Sequence, residues 1–442
     1  MDKQGSFRGQ RQQRGSSESL LGRLLALPRA AVAYAVGKWK AMSVSEQMIA
    51  EASPLLLSPA AISRLTAAWR RLEEDAETPP LHASESWTAE ELALISQIRT
   101  ETDKCNRNNV TRTEAYRTVY FRTPALHWAL LAHLVSRNGG WNMTDLQGEW
   151  LPYLLRDDQR EELFSFLERA NALIFQDAYP QLLLYERSLR EGRSLFHLLP
   201  AFDVSVFMTP VWRQFWKERD PVPLTVALIV NEQHYIEQRV IQNAHFKEKV
   251  LQTLFFGLQS VLQLNGVVFP YGSGGNSAAD GDCSTEAGTQ LAGIIIERFE
   301  NVEERVEFGK QLYAMLFGIA PVLHGARCFA AAVKHTGSRA DFAPQLYVRI
   351  RQLPPQRVYK EKLIGGALKP GAKPLYSPEL PSAWGDRPVD PAEKGDWFHS
   401  ADQVLYYFSK LPLPPVFELT NEYGLILNKI ELAVLAAQRQ KL

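Results

Sequence analysis

The stretch from Leu224 to Asn243 is the sequence feature that most constrains the fold. Its first half, 224–230, is apolar on every side, which is typical of a helix buried in the middle of a large domain. Its second half keeps helical spacing but is rich in Asn, Gln, Glu, His and Arg. Because unpaired polar groups are costly inside a protein, these side chains need partners. We therefore predict that this helix is the centre of the fold and carries the best candidate site.

The starts of other helices are well marked. Three pairs place a hydroxyl before a proline at the first helical position: Ser58-Pro59, Thr123-Pro124 and Thr209-Pro210. Thr88 with Glu91, and Asn301 with Glu304, have capping-box spacing. No sustained two-residue alternation occurs between 58 and 340, which argues against a sheet. The predicted fold is all-α: a large irregular helical domain, a Pro-rich C-terminal segment and a final helix.

A second dense stretch covers residues 106–145. The helix after Thr123 is predicted to end near Arg137 and Asn138, where Gly139 supplies a helix stop. In the structural interpretation, Trp141 fills a tight corner between two helices. In the functional one, Arg137, Asn138 and Asn142 line a polar pocket. A further helix break is expected at Pro180.

Several motifs together resemble a known family. They are Arg112-Thr-Glu-Ala-Tyr116, Trp128-Ala129, the run 135–146, the run 174–182 and Glu232-Gln-His-Tyr-Ile-Glu-Gln-Arg239. This combination resembles the YppC-like domain-of-unknown-function family of Bacillus and related Gram-positive bacteria, over residues 85 to 440 approximately. The resemblance implies a bacterial protein that is not secreted, and it supplies no catalytic residue.

The central helix supplies most of the candidate site residues. At 100° per residue, Glu232, Arg239 and Asn243 lie on or beside its apolar side, whereas His234 lies opposite. The catalytic candidates are Glu232, His234, Arg239 and Arg137. The candidates for ligand binding are Asn138, Trp141, Asn231 and Asn243. Such a buried polar network is either structural or part of a ligand pocket, and the sequence leaves both interpretations open.

No metal or cofactor is predicted. His234 and Glu237 have a spacing that suits a shared ligand, and His245 with Glu248 repeats it. The chain nevertheless lacks the Glu-x-x-His pattern of di-metal helical bundles and the His-Glu-x-x-His pattern of zinc peptidases. The Gly-rich segment 266–283 lacks the Gly-Lys-Ser/Thr sequence of a phosphate-binding loop. We interpret 270–283 as a mobile linker or lid, followed by a helix that carries Ile294.

Charge and cysteine content limit the classes of partner. The chain has no net charge, which gives no argument for nucleic acid, but residues 1–40 have eight Lys or Arg against two acidic residues. The three cysteines are far apart, which argues against a disulfide framework and favours the cytoplasm. No apolar run is long enough to span a membrane. The basic segment is either a helix docked on the main domain, which we favour, or a peripheral membrane contact.

The sequence thus divides into four parts. They are a disordered basic tail at 1–17, an amphipathic basic arm at 18–45, a helical core domain at 46–340, and a segment at 341–442 rich in Pro and aromatic residues that packs on the core. The apolar stripe of the last helix needs either the main domain or a second subunit, so a homo-oligomer is an open alternative.

The sequence is compatible with two functions. The first is a binding, scaffold or regulatory protein of the cytoplasm, favoured because no catalytic motif is found; a peripheral membrane contact through its basic arm is an open alternative to docking of that arm. The alternative is a hydrolase or transferase with a buried polar pocket behind the 270–283 lid. The residues of that pocket would be Arg137, Asn138, Glu232, His234 and Arg239.

Overall fold

The fold is predominantly helical, which confirms the predicted class. The computed structural model describes residues 20–77, 87–253, 265–273, 289–296, 298–351, 358–389 and 391–441. The predicted disordered tail at 1–17 and the part of the predicted lid from residue 274 onward lie outside the described residues. The predicted domain boundaries stay predictions.

The first half of the chain forms nine helices within the described residues: α1 Leu20–Ala50, α2 Pro59–Glu77, α3 Ala89–Cys105, α4 Asn109–Arg122, α5 His127–Asp145, α6 Leu151–Leu154, α7 Asp157–Glu191, α8 Met208–Glu218 and α9 Pro221–Ile236. A 3-10 turn at Phe196–Phe202 joins α7 to α8, and a π-helical turn at Glu237–Ile241 follows α9. The start of α2 at Pro59 and the Thr88–Glu91 capping box of α3 are as predicted.

The second half mixes short helices with short strands: α10 Ala244–Phe246, β1 Gly266–Ser273, β2 Thr289–Ile295, α11 Val302–Gly318, α12 Ala320–Ala332, β3 Tyr347–Val348, β4 Leu363–Ile364, β5 Ala367–Leu368, β6 Leu375–Tyr376, α13 Leu380–Ala383, α14 Asp402–Leu405 and α15 Thr420–Lys441. The pairs β1–β2 and β4–β5 are antiparallel, and β3–β6 is parallel. Asn301 caps α11 by accepting the backbone N–H of Glu304 at 3.0 Å, as predicted.

Helix α9 lies at the centre of the main core. Each residue from Leu224 to Val230 is at most 1% exposed. The helix packs against α5, α7, α8 and α11. A continuous apolar surface can be buried on all sides only where other elements surround it, so the predicted central position is confirmed.

The hairpin of β1 and β2 corrects two sequence predictions. Ile294 lies in a strand, not in a helix, and a two-stranded sheet does occur between residues 58 and 340. Both faces of the hairpin are covered, since Val268, Phe269 and Leu291 are all buried. A strand buried on both faces has no alternating polar side, which is why its periodicity gave no signal.

Helix α5 also differs from the prediction. It begins at His127 and continues through Gly139 and Gly140 to Asp145, instead of ending at Asn138. The two glycines act here as small residues that let neighbours approach. A Cβ on Gly140 would lie 2.3 Å from Asn109 Oδ1 and 2.6 Å from His335 Nε2. Packing therefore overrides the weak helix propensity of glycine. Helix α7 similarly continues through Pro180.

The C-terminal segment completes both the main core and a second one. Trp397, Tyr407 and Phe408 belong to the main core. The apolar side of α15 packs in the second core with Trp141 and Trp150, so its stripe finds partners within the chain.

Two findings bear on cysteine pairing and membrane spans. Cys105 has a free thiol, whereas Cys328 is disulfide-bonded, so the expectation of unpaired cysteines is wrong for Cys328. No single helix of the described residues is long and apolar enough to cross a membrane. Helices α11 and α12 meet that test only together, and they are bent by 93° relative to each other.

The two glycines of α5 provide a matched test of the packing. Gly140→Ala should lower the free energy of unfolding by about 1–3 kcal/mol, because its Cβ collides with the Asn109–His335 pair. Gly139→Ala meets its nearest atom, Asn171 Oδ1, only at 3.3 Å and gains helix propensity, so it should be neutral or mildly stabilising. Denaturant unfolding of both variants checks this. Equal effects would contradict the close approach at Gly140.

Candidate functional site

A cavity of about 280 Å³ lies beside α9, between α4, α5, α7, β1 and α11. Its wall is mainly apolar, formed by Trp128, Leu131, Ala132, Val135, Leu163, Phe166, Leu167, Ile174, Val267, Phe299, Phe308 and Leu312 among others. Polar groups reach it at a few points only: Arg112, Tyr116, Ser136, Asn142, Asp145, Asn171, Glu232, Gln233, Asn265 and Arg305. An apolar cavity with a few convergent polar groups is the usual form of a small-molecule site.

Glu232 is the predicted catalytic candidate that lines this cavity. Its Oε2 accepts the indole N–H of Trp128 at 3.2 Å, and its Oε1 accepts the side-chain amide of Gln233 at 3.2 Å. Burial raises the pKa of Glu232 to about 8, so the carboxyl group is mostly protonated at neutral pH. Both hydrogen bonds are donated to Glu232. Within the described part of the chain, neither of these hydrogen bonds uses the proton of the carboxyl group.

The charged groups of the wall are paired with opposite charges. Arg112 donates to Glu168 Oε2 at 2.6 Å, and both side chains are buried. Arg305 donates to Glu237 and to Gln233 Oε1. Pairing with Glu168 and Glu237 neutralises most of the positive charge of these two arginines. A ligand in the cavity would therefore meet hydrogen-bonding groups but little net charge.

Asp145 is also paired, and it joins this cavity to a smaller one. Its two carboxylate oxygens accept Nε of Arg339 at 3.0 and 2.8 Å. The neighbouring cavity of about 60 Å³ shares Asp145, Leu151 and Gly266 with the larger one and is also lined by Asn138. The two spaces therefore meet at the C-terminal end of α5.

Arg137 and Asn138 have their hydrogen bonds directed at other elements. Arg137 is fully buried, donates to the carbonyl oxygen of Val333 at 2.9 Å and stacks over the ring of Phe329. The amide of Asn138 accepts from Val268 N at 3.0 Å and donates to Val268 O at 2.9 Å, so it pairs with the edge of β1 as a strand residue would. Asn138 therefore supports the hairpin, whereas Arg137 contacts α12 and the residue that follows it.

The remaining candidates on α9 and on the π-helical turn after it contact the C-terminal segment. Asn231 accepts the indole N–H of Trp397 at 2.9 Å, and His234 stacks on the same ring with centroids 4.5 Å apart. Arg239 donates to the carbonyl oxygens of Glu393 and Gly395.

The last two candidates have structural contacts as well. Trp141 packs on Phe342 with ring centroids 4.5 Å apart. Asn243 caps α10 by accepting the backbone N–H of His245 at 3.1 Å.

The structure therefore does not gather the five residues of the proposed enzyme pocket in one place. Glu232 lines the larger cavity, Asn138 lines the smaller one, and Arg137, His234 and Arg239 contact other parts of the chain. Sequence reasoning did not assign Tyr116, Trp128 or Asp145 to the site. The available signal was the family resemblance, because the motifs that carry it include Arg112, Tyr116, Trp128, Asn142, Asp145 and Glu232, and all six line the cavity.

A buried chain of polar side chains reaches the cavity at Ser136. Asn109 donates to Ser136 Oγ at 3.1 Å and pairs with His335 Nε2 at 2.9 Å, and His335 lies 3.5 Å from Asp341. Asn109 separates the serine from the histidine, so these residues do not form a Ser-His-Asp triad. Among the described residues, no group of three or more His, Cys, Asp or Glu side chains is arranged to hold a metal ion.

Comparisons with known proteins assign the chain to a family. The sequence model described as "Protein of unknown function (DUF2515)" matches residues 104–415. The chain belongs to the DUF2515 family. It is similar to "Uncharacterized protein YppC" of Bacillus subtilis (strain 168), with 39% identity over 331 residues, which is 75% of this chain and 91% of the relative. No solved structure matches the chain. This DUF2515 family match contains every described residue of the larger cavity wall.

The buried carboxyl group predicts a specific dependence of stability on pH. The pKa of Glu232 rises on folding from its ordinary value of 4.5 to about 8, so the native state binds this proton more tightly than the unfolded state. Stability from this group is complete below about pH 4 and is lost as the pH rises through 8. Glu232→Gln cannot ionise and should lack this loss.

The test is thermal unfolding of both proteins at pH 5.5 and pH 8.5. The melting temperature of Glu232→Gln relative to wild type should increase between the two values. Asp177, whose pKa burial raises to about 7, is present in both proteins, and its charge contributes to the raised pKa of Glu232, so the difference between the proteins includes this interaction. A difference that stays constant with pH would show that Glu232 ionises normally in the folded protein.

Proposed function

We propose that this DUF2515 protein is a binding protein whose internal cavity holds an apolar small molecule with one acceptor oxygen. The observation that carries the proposal is the carboxyl group of Glu232, whose pKa burial raises to about 8, in the wall of a mainly apolar cavity. A hydrocarbon chain or ring fits the wall, and a hydroxyl, carbonyl or ester oxygen accepts the proton of Glu232.

The absence of net charge in the wall argues for a neutral ligand. An anion would meet Asp145 without an unpaired cation among the described wall residues. Burying a charge without a partner is costly, whereas a neutral oxygen needs only one donor. The binding interpretation therefore agrees with the pairing of Arg112 and Arg305.

The enzyme alternative has less support. It relies on Arg137, Asn138, His234 and Arg239, whose contacts lie with backbone carbonyls, β1 or Trp397. Among the described wall residues, the charged groups of Arg112, Arg305 and Asp145 are held in ion pairs. The cytoplasmic location and the possibility of a homo-oligomer stay predictions.

A stabilisation assay tests the cavity. 1-Decanol, which has an acceptor oxygen, should raise the melting temperature of the wild type more than decane, which has none. Ala132→Phe fills part of the cavity, so it should lose this stabilisation. Ala132→Ser keeps the volume and serves as the matched control. Native mass spectrometry of the purified wild type would show a co-purified ligand directly. Equal stabilisation of Ala132→Phe and wild type by decanol would place binding elsewhere.

One observation favours membrane contact as a second function. Helix α1 docks by one side, where Ala41 and Ser45 are buried and Ser45 Oγ accepts the backbone N–H groups of Phe417 and Glu418 at 3.1 Å each. A different side exposes Val36 and Trp39, at 58% and 71%. Exposed Trp and aliphatic side chains in a basic segment suit the surface of an anionic bilayer. We infer that α1 both docks and contacts lipid.

Co-sedimentation with vesicles that contain phosphatidylglycerol tests this contact. Trp39→Ser should lose most of the bound fraction because the indole ring no longer enters the interface. Leu92→Ser removes a side chain that is 52% exposed on α3, next to Glu90 and Glu91, and is the control. If Trp39→Ser binds as well as Leu92→Ser, α1 does not contact lipid.

A further inference from the structure

The hairpin of β4 and β5 presents an apolar tip among lysines. Ile364 is 63% exposed beside Gly365 and Gly366, which both have positive φ and form the turn. The surrounding segment 358–376 contains four lysines and one glutamate, a net charge of +3: Lys360, Glu361, Lys362, Lys369 and Lys373. A single exposed isoleucine is ordinary on a protein surface, so the hairpin needs further features before it suggests a partner.

The first such feature is that hydrogen bonds to α15 fix the start of the hairpin. Glu431 of α15 is 2% exposed, and its Oε1 accepts both the hydroxyl of Tyr359 and the backbone N–H of Lys362 at 2.7 Å. Its Oε2 accepts the backbone N–H of Leu363 at 3.2 Å. A buried carboxylate thus fixes the start of the hairpin, and the fold holds Ile364 in an exposed position.

The second feature is the charge at the surface of the hairpin. Lys362 pairs with Glu149 at 2.6 Å, and Lys369 pairs with Glu361 at 2.6 Å. Lys360 and Lys373 are exposed on either side of the turn. Two exposed lysines, one before and one after the turn in the sequence, therefore lie outside the internal ion pairs of the segment.

The third feature is the position next to α1. A Cβ on Gly37 of α1 would lie 3.6 Å from Asn421, and one on Gly366 would lie 2.5 Å from Gly424. Asn421 and Gly424 are one turn apart on α15, about 60° apart around the helix. The exposed apolar groups of α1 and of the hairpin thus belong to elements that flank the same end of α15.

We propose that the β4–β5 hairpin is a second lipid contact. Ile364 enters the interface of an anionic bilayer, and Lys360 and Lys373 bind lipid phosphate groups. This inference rests on the proposed membrane contact of α1 and extends it to Ile364, which is 325 residues after Trp39 (364 − 39). The pairing of an apolar tip with cations matches the two attractions that hold proteins on anionic membranes, which are burial of apolar surface and neutralisation of lipid charge.

The experiment measures binding of the full-length protein to vesicles of phosphatidylglycerol and phosphatidylcholine. Ile364→Ser should weaken binding by about tenfold or more, because the buried aliphatic group is lost. Lys360→Ala with Lys373→Ala should weaken it by about fivefold per lysine. The matched controls are Leu92→Ser and the pair Lys217→Ala with Lys247→Ala, which lie far along the chain and should bind as wild type does. Thermal unfolding confirms that each variant is folded.

The outcomes separate this inference from the proposal that it extends. Hairpin variants that bind normally while Trp39→Ser is weakened would overturn the hairpin contact and leave α1. Weakening of the hairpin variants alone would support the hairpin and overturn α1. Wild-type protein that binds no phosphatidylglycerol vesicle would overturn both contacts, and the decanol assay of the cavity would be unaffected.

Discussion

The fold depends on pairing the polar groups at the buried end of α9. Asn231 donates to Asp177 Oδ2 at 2.5 Å, and that oxygen also accepts from Gln181 at 3.0 Å. The carbonyl oxygen of the same Asn231 side chain accepts the indole N–H of Trp397. One amide therefore joins the central helix to α7 and to the C-terminal segment. Because each of these groups is buried, losing one partner would leave the others unsatisfied.

Much of the helical framework was predictable because local rules decide it. The apolar half of α9 and the capping residues Thr88 and Asn301 were assigned from spacing alone. The errors arose where tertiary contacts override local preference. Gly139 and Gly140 are read as a helix stop until Asn109 and His335 are placed beside them. The hairpin strands, covered on both faces, have the continuous apolar character of a buried helix.

The site was less predictable than the fold. A helical wheel places Glu232 and Arg239 on or beside the apolar side of the central helix. It does not show which other elements pack against that side. Arg239 meets backbone carbonyls from residues 393–395, a segment far along the chain, whereas Glu232 meets Trp128 and the cavity. These neighbours, which are distant in the sequence, decide which polar groups find partners within the protein and which groups can bind a ligand. Only the family motifs linked Tyr116, Trp128 and Glu232 in advance.

The two proposed activities are connected by the chemistry of the ligand. A neutral molecule with a hydrocarbon body and one oxygen partitions from water into bilayers, because burial of its apolar surface is favourable there. A protein held at the bilayer surface meets such a molecule at a much higher local concentration than in solution. In our proposal, the cavity provides a comparable apolar environment, and Glu232 donates a hydrogen bond to the oxygen of the ligand. The proposed membrane contact and the proposed cavity ligand are therefore compatible parts of one function.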